Sequence, residues 1–387
     1  MIWNKKKQNA LLITEMLISF LVLFAVFTAL VFAYQNFRKP MGLDYDNVWV
    51  VNFSKPLETN STDTLMSFYD MLRQDINSLP EVDGAAFTSD NIPFANNTSQ
   101  TGFLFNKRHI NAINWYTTGQ SYQGVLKLNL LAGHWFTKDD IGLVNQPLVI
   151  NESLKQELFG ESDAIGKLVG DDEDKHKKRV IGVVQDIKMK GDYAVAGLGA
   201  FNSIDSSDYH WLGRMLVRVR PSAGAAFESV LYKKLAGLMK NSSIEIEHLA
   251  NKRVAINYFA LVPIIILLIV ATFLLINVAL GLFGVLWYNI NRRRGEIGLR
   301  RAVGASGNNV TRQLMGEAMV VATFSLITGS FFAVQFPLLN VFDLPSNTYF
   351  IGLGLSIVFI YLLVLICAFY PGKQAAAILP AVALHED

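Results

Sequence analysis

Four stretches of the chain run for more than twenty residues with almost no charged side chain: Leu11–Tyr34, Val254–Asn291, Ala318–Phe342 and Leu344–Gly372. A helix that crosses a bilayer needs about 20 apolar residues, so each run predicts a spanning helix. The first carries a single acid, Glu15, near its start, and the second has no Asp, Glu, Lys or Arg in 38 residues. Thirty-eight residues of helix would extend roughly 57 Å, well beyond the ~30 Å hydrocarbon core. The second helix is therefore expected to project from the membrane as a stalk, with Pro263 as a candidate kink.

Between the first two runs the pattern changes to that of a water-soluble α/β domain. Val48–Phe53 (VWVVNF), Val82–Ser89, Pro147–Asn151, Arg179–Asp186 and Met215–Arg220 read as strands. Thr64–Leu79 reads as an amphipathic helix with Leu65, Phe68, Met71, Leu72 and Ile76 on its apolar face. Further helices are expected near Leu154–Phe159 and over Ala225–Leu238. The predicted fold class is an integral membrane protein: four transmembrane helices and a large α/β extracytoplasmic domain inserted between helices 1 and 2. The boundaries are a cytoplasmic N-terminus (1–10), helix 1 (11–34), the external domain (35–252) and helix 2 with its stalk (254–290). A cytoplasmic segment (291–309), helix 3 (310–339), a short loop (340–348), helix 4 (349–371) and a cytoplasmic tail (372–387) complete the map.

Charge sets the orientation. Lys5, Lys6 and Lys7 precede helix 1, the arginines of residues 292–312 separate helices 2 and 3, and Lys373 follows helix 4. Basic flanks of this kind face the cytoplasm, which predicts N-in, C-in topology; Arg38 and Lys39, on the outer side, dissent. The first run exceeds a 7–15-residue signal-peptide core and is followed by QNFRKP, so it reads as a retained anchor. Only 17% of residues are charged and mean hydropathy is +0.30, as a membrane protein requires. The single cysteine, Cys367, excludes an intrachain disulfide framework.

Candidate chemistry is sparse. There is no GxSxG, HExxH or cysteine nucleophile, and no G-x-x-x-x-G-K-[ST] phosphate loop. The pairs Asp139/Asp140 and Asp171/Asp172 and the run Asp171–Arg179 read as solvated turns, not as acid–base or metal sites. Sequons at Asn60, Asn97 and Asn241 matter only in a eukaryotic secretory route. No metal site and no nucleic-acid partner are expected.

One segment stands out. Arg292–Ser306 (RRRGEIGLRRAVGAS) places five arginines, one glutamate and three glycines between two uncharged stretches. Ile297, Ala302 and Val303, with Leu299 adjacent, offer an apolar stripe on a short surface helix, Gly304 suits its end, and Ser306 suits the N-cap of helix 3. Gly298 costs about 1 kcal/mol against alanine in a helix, a cost that close approach to a partner surface would explain. Arg292, Arg293 and Arg294 read as topology anchors on anionic lipid. Glu15 and Glu317 lie near the cytoplasmic face, Glu317 as a candidate to pair with Arg312 or with another subunit, and Asn277 is a candidate for a hydrogen bond to a second subunit.

Several of these stretches carry a family resemblance. Leu130–Asp140 (LLAGHWFTKDD), Pro147–Gly170, Arg179–Lys188 and, more loosely, Leu43–Phe53 resemble the periplasmic core domain of MacB-type permeases. The E-I-G-x-R-x-A-x-G-A pattern of residues 296–305 and the tail Tyr370–Glu386 resemble the wider MacB/FtsX permease family. The resemblance implies a non-enzymatic subunit of a type VII ABC transporter in the bacterial inner membrane, working as a dimer with a second copy or a paralogue. It implies mechanotransmission, in which a cytoplasmic ABC ATPase dimer moves the periplasmic domain through the helices. Because the chain lacks a phosphate loop, ATP and Mg are expected on a partner ATPase, with no cofactor on this chain. The resemblance assigns Glu296, Ile297, Gly298, Leu299, Arg300, Arg301, Ala302, Val303, Gly304 and Ala305 to the coupling helix that docks on that ATPase. A periplasmic adaptor and an outer-membrane duct are further partners that an efflux role implies. Efflux or extraction of a periplasmic or membrane-derived substrate is the leading expectation. The alternative is FtsX-like signalling to a periplasmic partner such as a cell-wall hydrolase.

Overall fold

The computed structural model describes residues 6–54, 56–57, 59–96, 98–140, 144–170 and 177–377. The chain divides into two compact units: Met1–Gln35 with Leu261–Asp387, and Asn36–Ala260.

The Asn36–Ala260 unit is built on a mixed sheet. Its strands are β1 (Val48–Phe53), β2 (Val82–Thr88), β3 (Gln100–Phe105), β4 (Arg108–Thr118), β5 (Leu130–Gly133) and β6 (Pro147–Asn151). They continue with β7 (Leu168–Val169), β8 (Lys178–Val184), β9 (Gly199–Ser203), β10 (Arg214–Val219) and β11 (Ile244–His248). The order is β11-β1-β10-β2-β4-β9-β6-β8-β5, with β3 beside β4 and β7 beside β8. Successive residues of a strand face opposite sides, and β1 shows why VWVVNF is apolar almost throughout. Val48 and Val50 enter one core with Tyr116, Trp135 and Phe201, while Trp49, Val51 and Phe53 enter another.

The second core is closed by α2 (Thr62–Asn77) and α5 (Ala225–Leu238), while the short α3 (Tyr122–Leu126) packs into the first. Ser61 caps α2, its hydroxyl accepting from Thr64 N–H at 3.4 Å. The buried face of α2 is Leu65, Tyr69, Leu72 and Ile76. Met71, expected on that face, is exposed, and Tyr69 takes the central place because its hydroxyl donates to Leu212 O at 2.8 Å. Phe227, Leu231 and Leu235 of α5 follow the i, i+4, i+8 spacing of a single buried stripe.

A third core lies under β6, β8, β9 and α4 (Glu152–Phe159). Asn151 caps α4 and also accepts from Gly199 N–H at 2.8 Å, tying the helix start to β9. Gly133, in the LLAGHW stretch, has φ +70°, and a Cβ there would lie 2.1 Å from Ile181 O. No side chain fits that approach. The β3–β4 hairpin turns on Asn106 and Lys107, with φ of 49° and 63°, the left-handed pair that a tight hairpin requires.

Among the described residues, four helices are long and apolar enough to cross a membrane. They are α1 (Lys6–Phe37), α6 (Leu249–Arg292), α8 (Gly307–Leu338) and α9 (Ser346–Ala376); between α6 and α8 sits the short α7 (Arg294–Ala302). At 44 residues, α6 is roughly 66 Å long at 1.5 Å per residue, and Pro263 lies within it without interrupting it. α8 buries Ala318, Ala322, Ser325, Gly329 and Ala333, and α9 buries Gly352, Ser356, Ala368 and Gly372. Small residues let helices approach closely where lipid supplies no hydrophobic drive. Phe20 of α1 fills the place beside Gly329 that a Cβ would occupy at 2.4 Å. Only 6% of the most apolar stretch of α6 is buried within the chain, against 44% for α1. Asn277 sits on this exposed helix, and its amide donates back to Phe273 O at 2.8 Å. Glu15 is half-buried and lies against Gly281 of α6.

Candidate functional site

Residues 292–306 form a helix–bend–helix–turn whose every joint has a local cause. α6 ends at Arg292, and Arg293 leaves helical geometry with φ −106°, ψ 16° before α7 begins. α7 ends in a Schellman turn: Ala305 N–H donates to Arg300 O at 3.0 Å and Gly304 N–H to Arg301 O at 3.1 Å. Gly304 has φ +105°, which favours glycine there. Ser306 then caps α8, its hydroxyl accepting from Asn309 N–H at 3.3 Å.

The apolar stripe divides between two faces. Ile297 and Gly298 are buried, Ile297 in a small cluster with Ile290, Val310, Leu314 and Ala375. Gly298 is buried within the chain itself, where the sequence had suggested contact with an external surface. Leu299 and Val303, one turn apart, face outward at 56% and 83% exposure, with Ala302 exposed beside them.

Polar contacts hold the inner face. Arg293 Nη1 donates to both carboxylate oxygens of Glu317, at 3.1 and 3.0 Å. Arg301 donates to Ala376 O at 2.9 Å, and Arg300 to Gln313 Oε1 at 2.7 Å and to Glu296. Thr311 of α8 donates to Gly372 O of α9 at 2.9 Å just beneath. Charge-assisted bonds of this kind are about twice as strong as neutral ones, so α7 is fastened to α8 and α9.

The structure thus places Glu296–Ala302 on α7 and Val303–Ala305 in the turn that ends it, with Arg292 exposed before the bend and Arg294 half-buried at the start of α7. Arg293 is an ion-pair partner of Glu317 and not only a topological charge. The partner of Glu317 is Arg293 rather than the Arg312 considered from sequence; the pair spans 24 positions, which no short-range pattern reveals.

Asp140 is buried, and its carboxylate accepts from Thr137 N–H and Oγ1, both at 2.8 Å, closing a turn. Among the described residues no group of three or more His, Cys, Asp or Glu is placed to hold a metal. Asp171, Asp172 and Asn97 lie outside the described residues, as does the tail beyond Ala377.

Residues 10–230 match the MacB-like periplasmic core domain, and residues 268–380 match the FtsX-like permease C-terminal family. A macrolide export ATP-binding/permease protein MacB of Aggregatibacter actinomycetemcomitans is 25% identical over 240 residues, covering 60% of this chain and 37% of the relative. Its namesake in Rhodopseudomonas palustris is 27% identical over 303 residues, covering 70% of this chain and 42% of the relative. The chain therefore spans less than half the length of these curated relatives. The crystal structure of the periplasmic region of MacB from Actinobacillus actinomycetemcomitans aligns with 58% of this chain and 98% of its own, at 18% identity and a TM-score of 0.38. The chain belongs to the MacB/FtsX-like ABC-transporter permease family: a multi-pass inner-membrane protein with a large MacB-like periplasmic core domain between its first membrane helix and the rest.

Proposed function

We propose that the chain is the permease subunit of an ABC transporter that works by mechanotransmission, with α7 as the surface on which a separate ATPase pushes. The observation that carries this reading is the division of α7 into two faces. One is locked to α8 and α9 through Ile297, Arg293 and Arg301; the other presents Leu299 and Val303 to solvent. Two large apolar side chains on an otherwise arginine-rich helix cost solubility unless a partner covers them. A helix fastened at its back and apolar at its front passes force inward without rolling.

The relatives are named ATP-binding/permease proteins, which supports placing ATP and Mg on an ATPase module outside these 387 residues. The basic flanks support N-in, C-in topology, with α7 in the cytoplasm. The broad exposed face of α6 supports pairing with a second permease copy or a paralogue, across which Asn277 is available. The substrate class that follows is a periplasmic or membrane-derived molecule, because the large folded unit lies on that side. The curated relatives are described as macrolide exporters; an efflux role here would add a periplasmic adaptor and an outer-membrane duct.

Purification of the full chain in mild detergent tests the proposal. Recovery of an ABC ATPase with a periplasmic adaptor is the expected outcome. A wall hydrolase in place of the adaptor would assign the chain to FtsX-like signalling, and recovery of no ATPase would defeat both.

A further inference from the structure

One short turn in the Asn36–Ala260 unit holds both segments by which that unit joins the membrane helices. The turn, Lys188–Tyr193, follows β8 and is rooted in the core by Ile187 and Met189, both buried beside Trp135 and Phe136. From that root its side chains reach in alternate directions. The Lys188 ammonium is 2% exposed as a residue and donates to three backbone carbonyls: Asn36 O, Lys39 O at 2.7 Å and Asp192 O at 3.2 Å. Asn36 and Lys39 are the end of α1 and the residues just past it. Carbonyls at a helix C-terminus lack intrahelical partners and carry partial negative charge, so an ammonium there is favoured. Tyr193 stacks on Phe37 at 5.9 Å between ring centroids.

Asp192, 6% exposed, reaches the other way to the first turns of α6. Arg253 Nε donates to Oδ1 at 2.9 Å and Nη2 to Oδ2 at 2.6 Å. Asn257, one turn later, donates to Oδ2 at 2.8 Å and accepts from Asp192 N–H at 2.9 Å. The Arg253 guanidinium also lies over the Tyr45 ring at 4.7 Å. Gly191 has φ +91°, and a Cβ there would come within 2.4 Å of Asn257 Oδ1, so the turn sits flush on α6. Burial lowers the Lys188 pKa, and Asp192 opposes that shift. Holding an ammonium and a carboxylate in such a place is costly unless they are well bonded; here the side-chain bonds of Lys188 and Asp192 end on residues 36–39, on α6 or within the turn itself.

We propose that Lys188–Tyr193 is a transmission joint: Asp192 and Lys188 are positioning residues that clamp the end of α1 and the start of α6 to the sheet, so that both move with it as one body. The role in transmission rests on the coupling reading above, whereas the clamp itself is testable without it.

The test is amide hydrogen exchange on the full chain in detergent, comparing wild type with Asp192→Asn and Lys188→Met. Arg220→Gln, an exposed charge elsewhere on the sheet, is the control. Loss of a charge-assisted, buried contact predicts about 10- to 100-fold faster exchange. Asp192→Asn should show it both at residues 36–39 and at residues 249–257, with the strand Val180–Val184 unchanged. Lys188→Met should show the same two regions. If each variant loosens only the helix its own side chain touches, the two helices are anchored independently and the joint is refuted. Faster exchange across Val180–Val184 as well would make these residues general stabilisers and equally overturn it. In complex with the copurified ATPase, ATP should alter exchange at α7 in wild type and in Asp192→Asn alike, but within the sheet only in wild type. A sheet response preserved in Asp192→Asn refutes the transmission role. An α7 that ignores ATP in wild type faults the coupling reading and leaves the joint to the exchange data.

Discussion

Arg293→Gln separates a structural clasp from a topological charge. Arg293 has a side chain 19% exposed, and it bonds both oxygens of Glu317, itself 34% exposed. Point charges 3 Å apart at an effective dielectric of 20 attract by about 5.5 kcal/mol, which is a ceiling. Desolvation and the partial exposure of Glu317 reduce this, and hydrogen bonds to charged groups measure about 1.5–3 kcal/mol. Taking about 2 kcal/mol, the population of α7 detached from α8 rises about 30-fold. The assay is hydrogen exchange across Arg294–Ala302 in the full chain, run beside Arg292→Gln, which removes the same charge from an exposed site. Arg293→Gln should accelerate exchange about 30-fold and Arg292→Gln should be near neutral. A cycle with Glu317→Gln should show a coupling of at least about 1 kcal/mol. Equal effects of the two arginine variants, or simple additivity with Glu317→Gln, would refute the clasp and return Arg293 to its role in topology.

Further outcomes follow from contacts within each unit. Tyr69→Phe strands the buried Leu212 carbonyl and should cost about 1–2 kcal/mol, read as a lower unfolding midpoint by tryptophan fluorescence. Gly352→Ala would set a methyl 2.5 Å from Thr28 Oγ1 and 2.9 Å from its backbone nitrogen; such overpacking costs about 1–3 kcal/mol and should lower the thermal midpoint of the chain in detergent. Burial raises the Asp44 pKa, but Lys127 and Arg218 outweigh it, and the carboxyl sits below its ordinary value. A folded pKa below the unfolded one adds stability that is complete above the unfolded value and disappears as pH falls through the folded one. The advantage of wild type over Asp44→Asn, followed by unfolding at stepped pH, should therefore be full above pH ~4 and vanish in stronger acid.

The elements legible in the chain are those whose burial is simple. β1, β6 and α5 fall where the pattern placed them, because β1 and β6 are buried on both faces and α5 carries one uninterrupted stripe. α2 begins two residues earlier than its first apolar residues suggest, since its start is set by the Ser61 cap. The β3–β4 hairpin leaves little pattern because its turn, Asn106-Lys107, has no glycine and because a register shift at Ala112 (φ 58°) puts the buried Ile110 and Ile113 three residues apart. β11 (IEIEH) does alternate, but it is short, half-exposed and at the sheet edge. At the candidate site, the location of α7 and its glycine terminus were readable, whereas its division into two faces was not. Ile297 and Leu299 are chemically alike; only the packing of Ile290, Val310 and Ala375 decides which turns inward. Long-range pairs such as Arg293–Glu317 and Asp192–Arg253 leave no local trace.

The central claim is that the outward face of α7 engages an ATPase, and Leu299→Asp tests it most directly. Leu299 is already 56% exposed, so the substitution should leave insertion and the thermal midpoint of the chain near wild type. Burying it under a partner and then placing a carboxylate there should cost at least about 2 kcal/mol, a loss of about 30-fold in affinity. The measurement is ATP hydrolysis by the copurified ATPase, titrated with wild-type or variant chain in lipid nanodiscs. The account predicts that the variant, correctly folded, fails to recruit or stimulate the enzyme at concentrations where wild type saturates it. Undiminished recruitment and stimulation by Leu299→Asp would contradict the account.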